Sequence, residues 1–142
     1  MYDRILLPTD GSETTEKAVR QALDIATTYD ATLHVVSVVD QTVVPPDVRA
    51  DILYDELEDE ADDAVNDTET RAEEAGIEVE TAVLQGTPHR AILDYANEHD
   101  IDLIVMGTHG RRGLDRYLLG SVTEKVVRVS DVPVLTVRME SE

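Results

Sequence analysis

Residues 102–125 read DLIVMGTHGRRGLDRYLLGSVTEK. Asp102 to Met106 is a compact apolar run, the pattern of a short strand buried on both faces. Gly107 and Gly110 follow it at once. Glycine there lets the backbone turn tightly and approach a ligand closely. Gly120-Ser121 then opens a helix expected to run to about Ser130. The first N–H groups of a helix have no intrahelical partner, and the helix dipole adds partial positive charge around them. Ser121 and Thr123 add hydroxyls. A strand, a glycine loop and a helix start in this order suit a phosphate chain. Each glycine alone would make an ordinary turn, and Ser121 alone an ordinary cap. The joint spacing G-x2-G-x9-G-S carries the reading.

Two better-known phosphate loops are excluded. A Walker A loop needs G-x-x-x-x-G-K-[ST], and Lys125 falls a full turn inside the helix. The dinucleotide pattern G-x-G-x-x-G is absent. Without the Walker lysine and a water-positioning residue, fast nucleotide hydrolysis is not expected. His109 lies between the two glycines, either on phosphate or simply exposed. Arg111 and Arg112 follow, a basic pair that could meet phosphate or only solvent.

Outward from this loop, short apolar runs alternate with amphipathic stretches. Arg4 to Pro8, Ala31 to Val39, Ile77 to Leu84, Asp102 to Met106 and Pro133 to Val137 read as five strands. Helices are expected from about Glu13 to Tyr29, with Ser12 as cap, and from Thr87-Pro88 to about Glu98. Leu53, Leu57, Ala61, Ala64, Thr68, Ala72 and Ala75 recur at helical spacing in a largely acidic stretch that ends at Gly76, a natural C′ residue. The order βαβαβαβαβ predicts an α/β fold with a doubly wound five-stranded parallel sheet and helices on both faces. Such sheets bind ligands beyond the carboxyl ends of their strands. That points to a second loop, Pro8-Thr9-Asp10-Gly11-Ser12, where Asp10 suits a ribose hydroxyl or a metal and otherwise makes an Asx turn. The segment 41–49, with Pro45 and Pro46, is the one long irregular linker, either a lid or a crossover. No internal repeat or second domain is visible, so residues 1–142 read as a single domain.

Composition narrows the class. The chain has 142 residues, 31 of them acidic and 12 basic, for a formal charge of −19. Ten of the basic residues are Arg, and only Lys17 and Lys125 are Lys. Acids spread over the helices read as a solvated surface rather than a site. Few lysines and many aspartates suggest a proteome adapted to high salt, where self-repulsion is screened to about 3 Å at 1 M. Binding to nucleic acid or an anionic membrane is disfavoured. There is no cysteine, which excludes thiol chemistry and Cys-based zinc sites. No export signal or membrane span is evident, so a cytoplasmic location is expected.

Taken together, the chain resembles the universal stress proteins over essentially its whole length. Residues 4–12 (RILLPTDGS), 33–36 (LHVV), 104–110 (IVMGTHG), 119–126 (LGSVTEKV) and 132–135 (VPVL) carry the resemblance. G-x2-G-x9-G-[ST] marks the ATP-binding branch of that family. With the acidic composition, the likeness points to a halophilic archaeon as source. It implies strand order 3-2-1-4-5, a homodimer joined through Val132 to Arg138, and ATP, with Mg²⁺ or Mn²⁺ on its phosphates. Pro8, Thr9 and Asp10 would lie by the adenosine, and Val38 would meet adenine through its backbone. Met106, Gly107, His109 and Gly110 would line the ribose and phosphate. Gly120, Ser121, Val122 and Thr123 would hold the phosphates. The implied function is a stress-response module switched by adenine nucleotide through its dimer or a partner. A slow ATPase or autophosphorylating phosphotransferase is the alternative. A response-regulator receiver shares the doubly wound pattern but needs an acidic pair after strand one and a Lys after strand five. Only Asp10 follows strand one and Arg138 follows strand five, which excludes it.

Overall fold

The structure, a computed structural model, describes residues 1–11, 15–40, 50–108 and 120–138. Five strands and four helices alternate: β1 (Arg4–Pro8), α1 (Glu16–Tyr29), β2 (Thr32–Val39), α2 (Ala50–Glu74), β3 (Val79–Gln85), α3 (Pro88–Glu98), β4 (Leu103–Gly107), α4 (Ser121–Val129) and β5 (Val134–Val137). The strands form one parallel sheet in the order β3-β2-β1-β4-β5. The doubly wound fold and the strand order expected above are both present.

The alternation of side chains along each strand builds two cores. Ile5, Leu7, Leu33, Val35, Leu103 and Val105 face α1 and α2, where they meet Ala18, Val19, Ala22, Val65 and Ala72. Leu6, Val36, Ile104 and Met106 face α3 and α4, where they meet Ile92, Tyr95, Ala96 and Val126. Burial on two faces therefore requires apolar residues at successive positions, as at Ile5 to Leu7 and Leu103 to Met106. β3 lies at an edge, and its side chains are mostly half-buried.

Chain ends of the helices explain two departures from the expected boundaries. Beyond α2, Gly76 sits at φ +77°, its N–H donates to Glu73 O (3.0 Å) and the Ile77 N–H donates to Ala72 O (2.9 Å). This is a Schellman closure, with Gly76 at C′ as expected. It uses Ile77 as the residue that turns the chain into the core, so β3 begins at Val79 and not at Ile77. α1 begins at Glu16, with Thr15 as its N-cap, and not at Glu13. The Thr15 hydroxyl does not cap the helix; it lies 3.3 Å from the Thr9 hydroxyl and ties the helix start to the end of β1. Ser12, expected as the cap, lies outside the described residues, as does the segment 41–49.

Candidate functional site

β1 is the point where the winding reverses. Its chain leaves toward the α1–α2 face, whereas the chain leaving the adjacent β4 turns to the α3–α4 face. The crevice at the carboxyl ends of these two strands is where such folds take ligands.

On the β1 side, Pro8 is the last paired residue, opposite Val36, and the Thr9 N–H donates to Val36 O (2.8 Å). The Gly11 N–H donates to Thr9 Oγ1 (3.2 Å), which folds the loop back on itself. β2 continues beyond this level. Ser37, Val38 and Val39 pair with β3, and the Gly86 N–H donates to Val39 O (3.1 Å). Backbone polar groups alternate sides along a strand. Val36 and Val38 therefore point toward β1, and at Val38 β1 has already ended. Its N–H and C=O are directed over the Pro8–Thr9 turn, while its side chain packs on the α3–α4 core.

On the β4 side, the Thr108 N–H donates to Val137 O (3.0 Å) and the Gly120 N–H donates to Thr108 O (2.6 Å). The second bond closes the base of the glycine loop. A third contact secures it: the Thr123 hydroxyl, on a residue only 4% exposed, donates to Gly107 O (2.8 Å). Thr123 thus clasps α4 to the end of β4. Removing that donor would leave a buried carbonyl unpaired, a loss of about 1–3 kcal/mol. Thr123→Val is expected to lower stability by that amount in denaturant titration, and an unchanged midpoint would contradict the clasp.

Above the clasp, α4 opens with Gly120 as N-cap, which has no side chain to make a capping hydrogen bond. The first helical bond runs from the Glu124 N–H to Gly120 O (2.9 Å). The N–H groups of Ser121, Val122 and Thr123 precede it, and none finds a partner among the described residues. Glu124 faces Arg128 one turn on. The hydrogen bond to that guanidinium, at 2.9 Å, pulls the Glu124 carboxyl below its usual range.

Not every expected site residue offers its side chain. Met106 is 5% exposed and belongs to the α3–α4 core, so only its backbone can reach the crevice. Because Ile104 and Met106 alternate with Val105, the strand period already contained that information. The Thr123 hydroxyl hydrogen is committed to Gly107 O, which leaves its N–H as the available donor. His109 and Gly110 lie outside the described residues. Pro8, Thr9 and Asp10 stand on one strand end and Gly107, Gly120, Ser121 and Val122 on the adjoining one.

A cavity of about 310 Å³ adjoins this crevice on the α1–α2 side, lined in part by Thr9, Asp10 and Gly11. Glu16, Glu60, Asp63, Asp67 and Arg71 also face it, and Arg71 Nη1 donates to Glu16 Oε2 (3.0 Å). With Asp10, five carboxylates surround one paired guanidinium. That concentration of acid disfavours phosphate in this cavity. Residues 55 apart in sequence build this wall, and nothing in their local pattern announced it. Among the described residues, no group of three or more His, Asp or Glu side chains is arranged to hold a metal ion. No described helix is long and apolar enough to cross a membrane.

A five-stranded parallel sheet wound in both directions from β1 defines a doubly wound α/β fold. The chain belongs to the universal stress protein family, whose family model matches residues 1–138. It is 37% identical to the universal stress protein MJ0531 of Methanocaldococcus jannaschii, over 97% of this chain and 83% of that one. The solved structure of MJ0577 from the same organism superposes with a TM-score of 0.89 at 33% identity, covering 100% of this chain and 99% of that one. A universal stress protein solved in complex with cAMP matches at a TM-score of 0.72 and 28% identity, over 98% of each chain.

Proposed function

We propose that the protein is a cytoplasmic adenine-nucleotide-binding module of the stress response, with ATP as its ligand. The carrying observation is the glycine-capped start of α4, where three backbone N–H groups have no partner among the described residues at the switch point. Phosphate would sit on Ser121, Val122 and Thr123, and adenine on the Val38 backbone, with Pro8, Thr9 and Asp10 beneath the adenosine. His109 and Gly110 complete the phosphate side in this reading. A divalent cation, Mg²⁺ or Mn²⁺, would ride on the phosphates and lower their repulsion from an acidic chain. The relative solved with cAMP supports an adenine ligand at this fold. Calorimetric titration of Mg·ATP in molar salt should give micromolar affinity, about −8 kcal/mol. No heat and no binding by the wild type would sink the reading. As a binding module the protein should return its ATP intact. Single-turnover hydrolysis well above buffer background, lost in Ser121→Ala, would instead make it a slow ATPase or phosphotransferase.

In the same reading the module works as a homodimer joined through β5. Among the described residues that strand pairs with β4 alone, and Leu135 on it is 37% exposed. An unpaired edge strand is a template for a second one. The β4 partners of Pro133 O and Val137 O show that Val134 and Thr136 turn their N–H groups outward. Thr136→Pro removes an outward donor without touching the β4 ladder, a change that edge strands tolerate. Ultracentrifugation should show a folded monomer where the wild type is a dimer. A dimer of unchanged affinity would place the interface elsewhere.

A net charge of −19 is also read as adaptation to high salt in a halophilic archaeon. Raising KCl from about 0.1 M to 2 M shortens the Debye length from about 10 Å to under 3 Å. The melting temperature should rise by several degrees over that range. Equal stability in dilute buffer would contradict the salt requirement.

A further inference from the structure

His34 stands on β2, between β3 and β1, and is only 3% exposed. Its Nδ1 lies 2.8 Å from the hydroxyl of Tyr95 on α3, itself 7% exposed. His99, the C-cap of α3, stacks on the Tyr95 ring with centroids 3.8 Å apart and planes at 15°. Its ring is 5.6 Å from that of His34. His99 also fixes itself to the helix end. Its backbone N–H (3.0 Å) and its Nδ1 (3.1 Å) both meet Tyr95 O. A carbonyl only accepts, so Nδ1 of His99 carries a hydrogen.

We propose that His34, Tyr95 and His99 form a proton-operated latch, which holds the last turn of α3 on β2 while His34 is neutral and releases it when His34 takes a proton. The inference stands apart from the nucleotide reading, because the latch lies at the opposite end of β4 from Gly107.

Hydrogen counting gives the latch two states. In the neutral state, Tyr95 donates its hydroxyl hydrogen to Nδ1 of His34, and Nε2–H of His34 faces the Glu80 carboxylate at 4.0 Å. Protonation puts a hydrogen on Nδ1 as well. Nδ1 then becomes a donor, and the Tyr95 hydroxyl must accept from it. Among the described residues that hydroxyl has no other hydrogen-bond partner. Its own hydrogen is then stranded in a buried place, the costly outcome for a polar group. Opening the end of α3 gives it water.

Burial pushes the His34 imidazole below its ordinary value of 6.5, Glu80 of β3 opposes that, and His99 of α3 and Arg4 of β1 add to it. Tyr95 is pushed up, by burial and then by Glu80, so it keeps its hydroxyl hydrogen. The folded latch thus binds fewer protons than the unfolded chain below pH 6.5. Its stability is full above that value and is lost as pH falls from there through the lowered value of folded His34.

The test is hydrogen exchange and imidazole NMR on the full chain in about 2 M KCl, between about pH 7.5 and 5.5. The amides of His99 and Ile101, bonded to Tyr95 O and Ala96 O, report the last turn of α3. Corrected for intrinsic rates, their protection should fall roughly tenfold more than that of Leu6 on β1. His34→Gln, and Tyr95→Phe should the first not fold, should abolish that difference. An equal fall at Leu6, or the same difference in the folded variant, would overturn the latch. Wild-type NMR decides independently of any variant. Nδ1 of His34 must be the unprotonated nitrogen at pH 7.5, and titration of His34 at or above 6.5 would contradict the proposal.

Discussion

Ser121→Pro should weaken adenine-nucleotide binding about ten- to a hundredfold while leaving the fold in place. Proline at the first helical position is tolerated because the N–H it lacks has no intrahelical partner. Ser121 occupies that position in α4, and its N–H is unpartnered among the described residues. The residue before a proline must be extended, and Gly120 already sits at φ −61°, ψ 156°. The substitution therefore deletes one phosphate donor and one hydroxyl at little structural cost. A hydrogen bond to a charged group is worth about 1.5–3 kcal/mol, which is the expected loss in affinity. Calorimetry reads the loss, and a melting temperature within a few degrees of wild type shows that it is local. Unchanged affinity would mean that phosphate does not sit on this helix start. Ser121→Ala separates the hydroxyl from the N–H and should cost less.

Gly11→Ala should destabilise the protein by about 1–3 kcal/mol, from two sources. Gly11 has φ +77°, a left-handed conformation that a side chain strains. A Cβ added there would meet the Cβ of Ala64 at 3.1 Å, closer than ordinary packing allows. α2 cannot withdraw freely, because Ala61, Ala64, Val65 and Thr68 are buried along the same stripe. The loop would have to move instead, and Thr9 and Asp10 with it. For a chain of this size the melting temperature should fall by about 3–10 °C, and nucleotide affinity should fall as well. The double variant Gly11→Ala, Ala64→Gly relieves the contact but not the backbone strain. It should recover part of the loss after allowance for about 1 kcal/mol of helix propensity. A Gly11→Ala protein as stable as wild type would show that the loop and α2 can separate without cost.

How far residues alone reveal this protein depends on the range of the interactions. β1 and β4 are plain in the sequence, because burial on both faces demands apolar residues in succession at Ile5 to Leu7 and Leu103 to Met106. The end of α2 is plain because Gly76 does local work in closing a helix. The start of β3 is not, because Ile77 is apolar for the Schellman closure and the core, which mimics strand alternation. The start of α1 is not plain either. Thr15 and Thr9 settle it across six residues, through a contact between two hydroxyls that no propensity contains. The strand order came from likeness to a family, since nothing in a strand's own residues names its neighbours.

At the candidate site, the Gly120-Ser121 pair marks where α4 begins. It could not show that the Thr123 hydroxyl is spent on Gly107 O. Tertiary register was needed to see that Val38 extends past the end of β1, which turns an ordinary valine into an exposed pair of backbone groups. His34 read as one more residue of an apolar strand, and its tie to Tyr95 spans 61 residues.

Titrating Mg·ATP into ¹⁵N-labelled protein in molar KCl, and following backbone amides, tests the central reading most directly. The account predicts saturable shifts at the N–H groups of Ser121, Val122 and Thr123 and at Val38, with little change at Asp63, Asp67 and Arg71. Shifts confined to those three residues of the acidic cavity, or none at the start of α4, would contradict it.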